Sequence, residues 1–405
     1  MDRLLSRRDV LRYSAFSFVT LGASALLSAC GGGSESPTQE AAAQTTPTPT
    51  EAPATAAASP TESASPSASP EAESSPTASG STAAWDEVVA QAKEEGQLVL
   101  YDGHGGAIPT IGYAAEQFQS EYGIQVDVSA MRASEGQERV RVEQQAGQPV
   151  ADLVTIGSTQ AWLMINQDKT VQPIGDLPNL SRVSQEVMAQ AEGFGLTEHA
   201  VFEAIQVYGV LVNTRLVPEG EEPKTWQDVL DPKWSGQIVM DDPRAIGGGF
   251  VFFSAALVAL GEDFLRNLAA QKPVLTRNIA DSANRVARGE FALMIPFALG
   301  LFPQVKDVPT VKVVMPEPGA PFVLQGISIP AQVRHPNAAR LFIDYLLSDK
   351  VQEHLAANYL RPVVDSALDA APPEARDLLS APLLGTSDPP RSEERLALAA
   401  EIFTD

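Results

Sequence analysis

The stretch Leu98-Val99-Leu100-Tyr101-Asp102-Gly103-His104-Gly105-Gly106 joins a short apolar run to a glycine-rich end. The four apolar residues predict a buried β-strand, and the five residues after them predict a tight loop. Helical spacing precedes the strand over residues 85–95, where Gly96 is a usual terminator, and it follows the loop over residues 111–122. These elements predict the opening helix, strand and helix of a parallel β-sheet.

The same alternation continues along the chain and predicts an α/β fold built from doubly wound parallel units. Ligands of such sheets bind beyond the carboxyl ends of the strands, so the loops 102–106 and 157–159 are the first candidate sites. Strand patterns lie at 124–128, 151–156, 236–240, 291–295 and 325–330, an extended run lies at 201–212, and helical patterns lie at 135–145, 225–230, 250–260, 283–288, 337–347 and 349–357.

Cys30, the single cysteine of the chain, ends the run Leu27-Ser28-Ala29-Cys30 behind an apolar segment at 13–27. This run matches a bacterial lipoprotein box, in which the cysteine is acylated after cleavage. The apolar segment is too short for a membrane span, which needs about 20 residues. We therefore predict a signal peptide with lipobox at 1–30 and a lipid anchor at Cys30 on the outer face of the cytoplasmic membrane.

The arginine pair Arg7-Arg8 lies in a segment that resembles a twin-arginine export signal. Val10 and Arg12 replace the more usual phenylalanine and lysine of that signal, so the choice between twin-arginine and general secretory export stays open. In both cases the protein is expected to work outside the cytoplasm.

Residues 31–84 repeat Thr-Pro, Ser-Pro, Ala and Glu and contain no aromatic residue. Such a segment buries too little apolar surface to offset the entropy of ordering it, which predicts a disordered linker. Its prolines favour an extended spacer that holds the following domain away from the membrane. Its serines and threonines would also admit glycosylation.

The chain carries 28 Lys plus Arg and 51 Asp plus Glu, for a net charge of −23. This charge disfavours nucleic acid and anionic lipid surfaces as partners. With one cysteine, assigned to the anchor, the folded part is expected to lack disulfides and thiolate chemistry.

Four segments in order resemble the bacterial extracellular solute-binding proteins of ABC transporters, especially the group that contains the ferric-iron binders. They span the part of the chain from residue 85 to about residue 365. The segments are Ala92-Lys93-Glu94-Glu95-Gly96-Gln97-Leu98-Val99-Leu100-Tyr101, Thr225-Trp226-Gln227-Asp228-Val229-Leu230-Asp231-Pro232-Lys233-Trp234-Ser235-Gly236, Val286-Ala287-Arg288-Gly289-Glu290 and His335-Pro336-Asn337-Ala338-Ala339-Arg340-Leu341-Phe342-Ile343-Asp344-Tyr345-Leu346-Leu347-Ser348.

The resemblance implies a type II periplasmic-binding-protein fold, with two doubly wound α/β lobes joined by two hinge segments. It places lobe one at 85–205 plus 320–405 and lobe two at 206–319, with hinges near 201–213 and 311–323. It further implies a small-molecule solute bound in the cleft by hinge bending, delivery to permease subunits, a monomeric state and no cofactor.

The candidate ligand residues of lobe one end two predicted strands. The alternative to a ligand role is a polar loop residue for His104. For Ser158 and Thr159 the alternative is a simple helix N-cap. The candidates are Tyr101, Asp102, Gly103, His104, Ser158 and Thr159.

Iron binders of the resembling group carry a histidine in about the loop of His104 and adjacent tyrosines after the Gly289-Glu290 motif. Phenolate oxygen is a hard donor suited to Fe(III). Here residues 294–299 contain Phe297 and no tyrosine. We therefore expect no metal site and a small, anionic solute, with ferric iron at His104 as the alternative.

The candidates of lobe two surround the start of the helix predicted at 250–260. Arg244 beside Gly247 and Gly248 fits an anion site, because free backbone N–H groups and the positive helix end attract phosphate or carboxylate. A flexible glycine turn with a solvated Arg244 is an equal alternative. Tyr208 would stack on the ligand or pack in the hinge. Three further polar residues precede the helix at 283–288 and would reach the cleft, with capping of that helix by Asp281 or Ser282 as the alternative: Asn278, Asp281 and Ser282.

Catalytic motifs are not found in the sequence. It contains neither Gly-x-Ser-x-Gly nor His-Glu-x-x-His, and its four histidines are dispersed. We therefore expect a binding protein rather than an enzyme, with an anchored hydrolase as a distant alternative.

Overall fold

The computed structural model describes residues 79–104 and 110–404, with side chains from residue 83 onward, and these residues belong to one compact unit, Glu73–Asp405. The predicted signal peptide, Cys30, nearly all of the linker and the glycines at 105 and 106 lie outside the described residues. Within the described part, no helix combines the length and the apolar character needed to cross a membrane.

Helices and strands alternate along the described chain as the sequence predicts. The helices are α1 (Ser79–Glu95), α2 (Thr110–Tyr122), α3 (Ala133–Ala146), α4 (Ser158–Leu163), α5 (Gln185–Gly193), α6 (Gly248–Ala259), α7 (Glu262–Ala270), α8 (Ile279–Arg288), α9 (Pro336–Leu346), α10 (Asp349–Ala357), α11 (Pro373–Leu379) and α12 (Ser392–Ile402). The strands are β1 (Gln97–Asp102), β2 (Gln125–Ala130), β3 (Leu153–Gly157), β4 (Val171–Gln172), β5 (Val201–Asn213), β6 (Ile238–Asp241), β7 (Val274–Thr276), β8 (Leu293–Ala298), β9 (Val311–Val314), β10 (Ala320–Pro330), β11 (Arg361–Pro362) and β12 (Leu383–Gly385).

Many predicted bounds differ from the structure by a few residues, and two of the differences change how a segment is described. α1 begins at Ser79 and so includes residues that the sequence analysis placed in the linker. The helix predicted at 225–230 is a 3-10 helix at Trp226–Leu230, started by a capping box in which Thr225 and Asp228 satisfy each other's backbone N–H groups.

The sheet has two halves that share β5. In the first half the order is β2-β1-β3-β10-β5, with β2, β1 and β3 parallel and β10 antiparallel to both of its neighbours. In the second half the order is β5-β8-β6-β7, with β9 also paired to β5. The carboxyl ends of β1 and β3 therefore open on one edge, where the first candidate residues lie.

β5 passes from one half of the sheet to the other. Residues 201–207 pair with β10, while residues 208–213 pair with β8 and β9. This strand coincides with the first predicted hinge, and the second predicted hinge covers β9 and the start of β10. The lobe boundaries themselves stay a prediction.

Alternation along β5 divides its side chains between two hydrophobic clusters. Leu211 belongs to the larger cluster, which contains the core of the first half, whereas Val210 and Val212 belong to a second cluster with Trp226 and Phe252. Both faces of this strand are therefore buried, which explains its nearly continuous apolar sequence.

The C-terminal segment reaches the second cluster. Ala399, Ile402 and Phe403 of α12 and its end pack there, and Arg395 donates to the backbone oxygen of Ser254 in α6. The resemblance to solute-binding proteins places this segment in lobe one. Its buried apolar side chains pack in the second cluster, and its assignment to a lobe stays a prediction.

Asp152, directly before β3, is a fully buried carboxylate that joins three segments of the first half. It accepts hydrogen bonds from the backbone N–H of Val99, Arg334 and His335, and it lies 2.8 Å from Nδ1 of His335. A single side chain thus accepts hydrogen bonds from backbone N–H groups of both β1 and the segment that starts α9.

We predict that Asp152→Ala lowers the free energy of unfolding by at least about 3 kcal/mol, because each buried donor left unpaired costs about 1–3 kcal/mol. Urea unfolding followed by circular dichroism measures this loss. Asp86→Ala, at an exposed position of α1, is the matched control and should change stability by less than about 0.5 kcal/mol. Equal stabilities of the two variants would contradict the assignment.

Candidate functional site

The carboxyl end of β1 is closed by a network around Asp102. Thr155 of β3 donates from Oγ1 to Oδ1 of Asp102 at 2.9 Å, and the backbone N–H of His104 donates to the same oxygen at 3.0 Å. The backbone N–H of Gly103 donates to Oγ1 of Thr155 at 2.9 Å. A Cβ at Gly103 would lie 2.2 Å from the backbone oxygen of Thr155, so this turn requires glycine.

The network presents His104 to a carboxylate that the sequence analysis missed. Nδ1 of His104 lies 3.4 Å from Oδ1 of Asp102, and Nε2 lies 3.7 Å from Oε1 of Glu203. The three side chains are only 3–7% exposed. Nε2 of His104 and Oε2 of Glu203 have no hydrogen-bond partner among the described residues.

Burial is the main cause of the shifted pKa values of His104 and Glu203. Desolvation lowers the pKa of His104, because a buried ring is costly to charge. Desolvation also raises the pKa of Glu203 to about 8, and the nearby charge of Asp102 acts in the same direction. Both side chains are therefore mainly neutral near pH 7.

A β-bulge positions Glu203. In the pairing of β5 with β10, Phe202 faces Gly326 and Ala204 faces Gln325, which leaves Glu203 as the extra residue. Its backbone oxygen accepts a hydrogen bond from Nε2 of the buried Gln352. Bulges are frequent next to functional sites because they re-aim a side chain.

Of the other candidates of the first half, Tyr101 and Thr159 form hydrogen bonds with neighbouring side chains, whereas the Ser158 hydroxyl forms none among the described residues. The hydroxyl of Tyr101 donates to Glu143 of α3 at 2.6 Å, and burial with this bond raises the pKa of Tyr101 to about 12. Oγ1 of Thr159 lies 2.7 Å from Oγ of Ser387. Oγ of Ser158 is buried without a partner among the described residues. The N-cap of α4 is Gly157, so the simple capping role for Ser158 and Thr159 is wrong.

In the second half, Asp241 ends β6 and occupies the start of α6. Its Oδ2 accepts from the backbone N–H of Gly249 at 2.7 Å, and burial raises the pKa of Asp241 to about 6. A Cβ at Gly248 would lie 2.9 Å from Cε1 of Tyr208 and 3.1 Å from Oδ2 of Asp241. Gly248 thus lets this carboxylate and the buried Tyr208 approach each other, beside Gly247 at the helix N-cap.

Arg244 is not a solvated guanidinium. Its Nε donates to Oδ1 of Asp242 at 2.9 Å, and its Nη1 donates to the backbone oxygen of Phe403 at 3.3 Å. Arg277 donates to the other oxygen of Asp242 at 3.2 Å. Both guanidinium groups therefore pair with the carboxylate of Asp242.

The residues at the start of α8 form its cap. Asn278 is the N-cap and accepts from the backbone N–H of Asp281, while Ser282 donates to the backbone oxygen of Asn278. The N-cap of α8 is Asn278, so the prediction that Asp281 or Ser282 caps this helix is wrong. A ligand role for these three residues stays a prediction.

The remaining histidines serve structural contacts or lie apart from the network. His335 pairs with Asp152, and His354 stacks on Tyr113 with ring centroids 3.6 Å apart. Across residues 79–104 and 110–404, no group of three or more His, Cys, Asp or Glu side chains is arranged to hold a metal ion. The two ring nitrogens of His104 face Asp102 and Glu203 in different directions, so these three groups do not converge on one point.

Sequence reasoning found Asp102 and His104 but missed Glu203 and Asp241. Glu203 is the single charged residue of β5, and this isolation within a buried strand is the signal that was available. The sequence around Arg244 indicates the start of a helix, but it does not indicate which side chain accepts hydrogen bonds from the backbone there. Asp241 therefore could not be identified from the sequence.

Comparison with known proteins places this geometry in a family. A family model described as a bacterial extracellular solute-binding protein matches residues 113–380. An uncharacterized protein of Haemophilus influenzae is 25% identical over 280 residues, which cover 67% of this chain and 78% of that protein.

Two solved structures show the fold. Iron-bound HitA from Pseudomonas aeruginosa matches with a TM-score of 0.58 at 20% identity, covering 76% of this chain and 99% of that one. AfuA from Actinobacillus pleuropneumoniae, with exogenous fructose-6-phosphate bound, matches with a TM-score of 0.63 at 21% identity, covering 75% and 97%. The predicted type II periplasmic-binding-protein fold is confirmed.

We predict that Glu203→Gln removes the part of the pH dependence of the free energy of unfolding that comes from the titration of Glu203. The folded pKa near 8 lies above the ordinary value of 4.5, so the folded state binds this proton more tightly and Glu203 lowers stability as pH rises between these values. The stability of Glu203→Gln relative to the unsubstituted protein should therefore increase from about pH 5 to pH 8, by at most about 1.4 kcal/mol per pH unit.

Urea unfolding at several pH values tests this, because subtraction cancels the contributions of ionisable groups far from Glu203 and leaves those of Glu203 and its neighbour His104. Glu219→Gln, at an exposed position, is the control and should give a constant difference. A constant difference for Glu203→Gln as well would show that Glu203 is ionised in the folded protein.

Proposed function

The chain belongs to the bacterial extracellular solute-binding proteins, and on this premise we propose that it is the membrane-anchored solute-binding component of an ABC importer. It captures a small solute outside the cytoplasm and delivers it to permease subunits. The observation that carries this proposal is the continuous passage of β5 through both halves of the sheet, with candidate ligand residues on each side.

Such an arrangement supports capture by hinge bending. Glu203 lies in the part of β5 that pairs with the first half, and Tyr208 begins the part that pairs with the second. A bend within this strand would move the Asp102–His104 network relative to Asp241 and Tyr208. We propose that the protein does this as a monomer, with the solute held between the halves.

We propose that the solute bears an anionic group. The support is Arg277, which pairs with Asp242 beside Arg244. The side chain of Arg277 is 60% exposed and available to a ligand. The helix start beside Gly247 supports anions less than the sequence suggested, because Asp241 already accepts from Gly249 there.

Ferric iron remains the alternative solute. HitA is an iron-bound relative in fold, and His104 occupies the loop where the iron binders carry a histidine. Against iron, the position of the expected tyrosines is taken by Phe297, a buried residue of β8. Iron would therefore need a donor set different from that of the resembling group.

A hydrolase is a more distant alternative, and we propose that the protein is not an enzyme. A histidine base must face a nucleophile within hydrogen-bond reach. Asp102 faces Nδ1 of His104, as the orienting carboxylate of a catalytic histidine does. Nε2 of His104, however, faces the carboxylate of Glu203 and not a nucleophile.

Anchoring is proposed at Cys30, which lies outside the described residues. We predict that Cys30→Ala moves the protein from the detergent phase to the aqueous phase on detergent extraction, because it loses its acyl chains. Ser28→Ala keeps a small residue in the lipobox and serves as the matched control that stays anchored. Membrane retention of the Cys30→Ala protein would contradict lipidation at this position.

The solute can be identified by mass spectrometry of protein purified without refolding. We predict that saturation with this solute lowers the radius of gyration in small-angle scattering, while far-ultraviolet circular dichroism stays unchanged, because only the hinge bends. An unchanged radius of gyration on adding solute to verified solute-free protein would count against a closing cleft.

A further inference from the structure

We propose that the solute also carries a primary ammonium group, and that Glu203 and Nε2 of His104 receive it. This rests on the proposed solute-binding function and names the chemical class of the solute. Together with Arg277 of the second half, the subsite describes an amino-bearing anion.

When Glu203 is ionised, the subsite consists of acceptors that lack a donor among the described residues. Asp102 faces Nδ1 of His104 at 3.4 Å, which favours the proton on Nδ1 and leaves a lone pair on Nε2. Nε2 in turn faces Oε1 of Glu203 at 3.7 Å, too far for a hydrogen bond between them. Oε2 of Glu203 is also without a partner among the described residues. A group with several N–H donors satisfies such a set.

The local charge selects a cation over a neutral hydroxyl. The carboxylate that acts on Glu203 is that of Asp102, so two acidic groups lie around one neutral imidazole. An ammonium offers three donors and a positive charge, whereas a hydroxyl offers one donor and no charge. Hydrogen bonds between ionised groups are also the stronger ones.

The backbone is built to present this carboxylate. Burying an ionisable group in a central strand is costly unless it is paired, yet Glu203 is only 3% exposed and is aimed by a bulge toward His104. Gln352 holds the bulged backbone through the oxygen of Glu203, while its own Oε1 accepts from Val363 at 2.9 Å. These contacts fix the main chain and leave the carboxylate for a ligand.

Isothermal titration of the full-length protein with matched probes tests the subsite. Taurine and isethionate share an anion and a chain length and differ by ammonium against hydroxyl, as do β-alanine and 3-hydroxypropionate. We expect the ammonium member to bind at least about tenfold tighter to the unsubstituted protein and to the control Glu219→Gln. Glu203→Gln should reduce this ratio below about threefold, and Glu203→Asp, which keeps the carboxylate, should retain part of it.

Protonation gives an independent readout. Because Glu203 must lose its proton to pair with an ammonium, affinity for taurine or β-alanine should rise between about pH 6 and pH 8, while that of Glu203→Gln stays flat. Asp102 and His104 face the same site and remain in both proteins, so the comparison reports the loss of the Glu203 carboxylate together with its effect on the titration of His104.

Three outcomes would overturn the subsite: binding of neither ammonium probe, equal binding of the hydroxyl partners, or an ammonium preference that survives in Glu203→Gln. A solute without an amine that binds and compacts the protein would overturn the subsite but retain the solute-binding function. Absence of compaction with every binding solute would overturn the hinge-closing function itself.

Discussion

The structure depends on one strand that is buried along its whole length. All residues of β5 from Val201 to Asn213 are buried, and the strand pairs with β10 and β11 at one end and with β8 and β9 at the other. Its backbone groups are therefore satisfied on both edges by strands from distant parts of the chain. Because both halves of the sheet share this strand, any change in their relative position must be absorbed within it or beside it.

A buried strand of this kind favours apolar residues, and its exceptions are informative. Its buried polar residues are Glu203, Gln206, Tyr208 and Asn213, and Oε1 of Gln206 is left without a partner in the described part of the chain. Departures from local consistency are expected at functional sites. Here they lie on both sides of the point where β5 changes partners from β10 to β8.

Both halves close a strand-to-helix turn with a carboxylate. Asp102 ends β1 and accepts from the backbone of His104, and Asp241 ends β6 and accepts from the backbone of Gly249. Each turn also needs a glycine, since a Cβ at Gly103 or Gly249 would lie 2.2 Å from a backbone oxygen. The device places one buried acidic group at the carboxyl end of a strand in each half, which is where ligands of parallel sheets bind.

The sequence by itself determined the order of strands and helices, the α/β class and the positions of Asp102 and His104, because hydrophobic periodicity and glycine placement are local properties of the chain. It also indicated β5, whose apolar run is continuous. Only the tertiary structure decided which polar atoms meet: Tyr101 with Glu143, Arg244 with Asp242, and His104 with Glu203. Those contacts join residues from separate elements, or depend on how a loop folds back, and the one to Glu203 depends on a bulge of a single residue in the pairing of β5 with β10. A shift of one residue exchanges the faces of a strand, so the charge that lines the site was set by register, which no local pattern specifies.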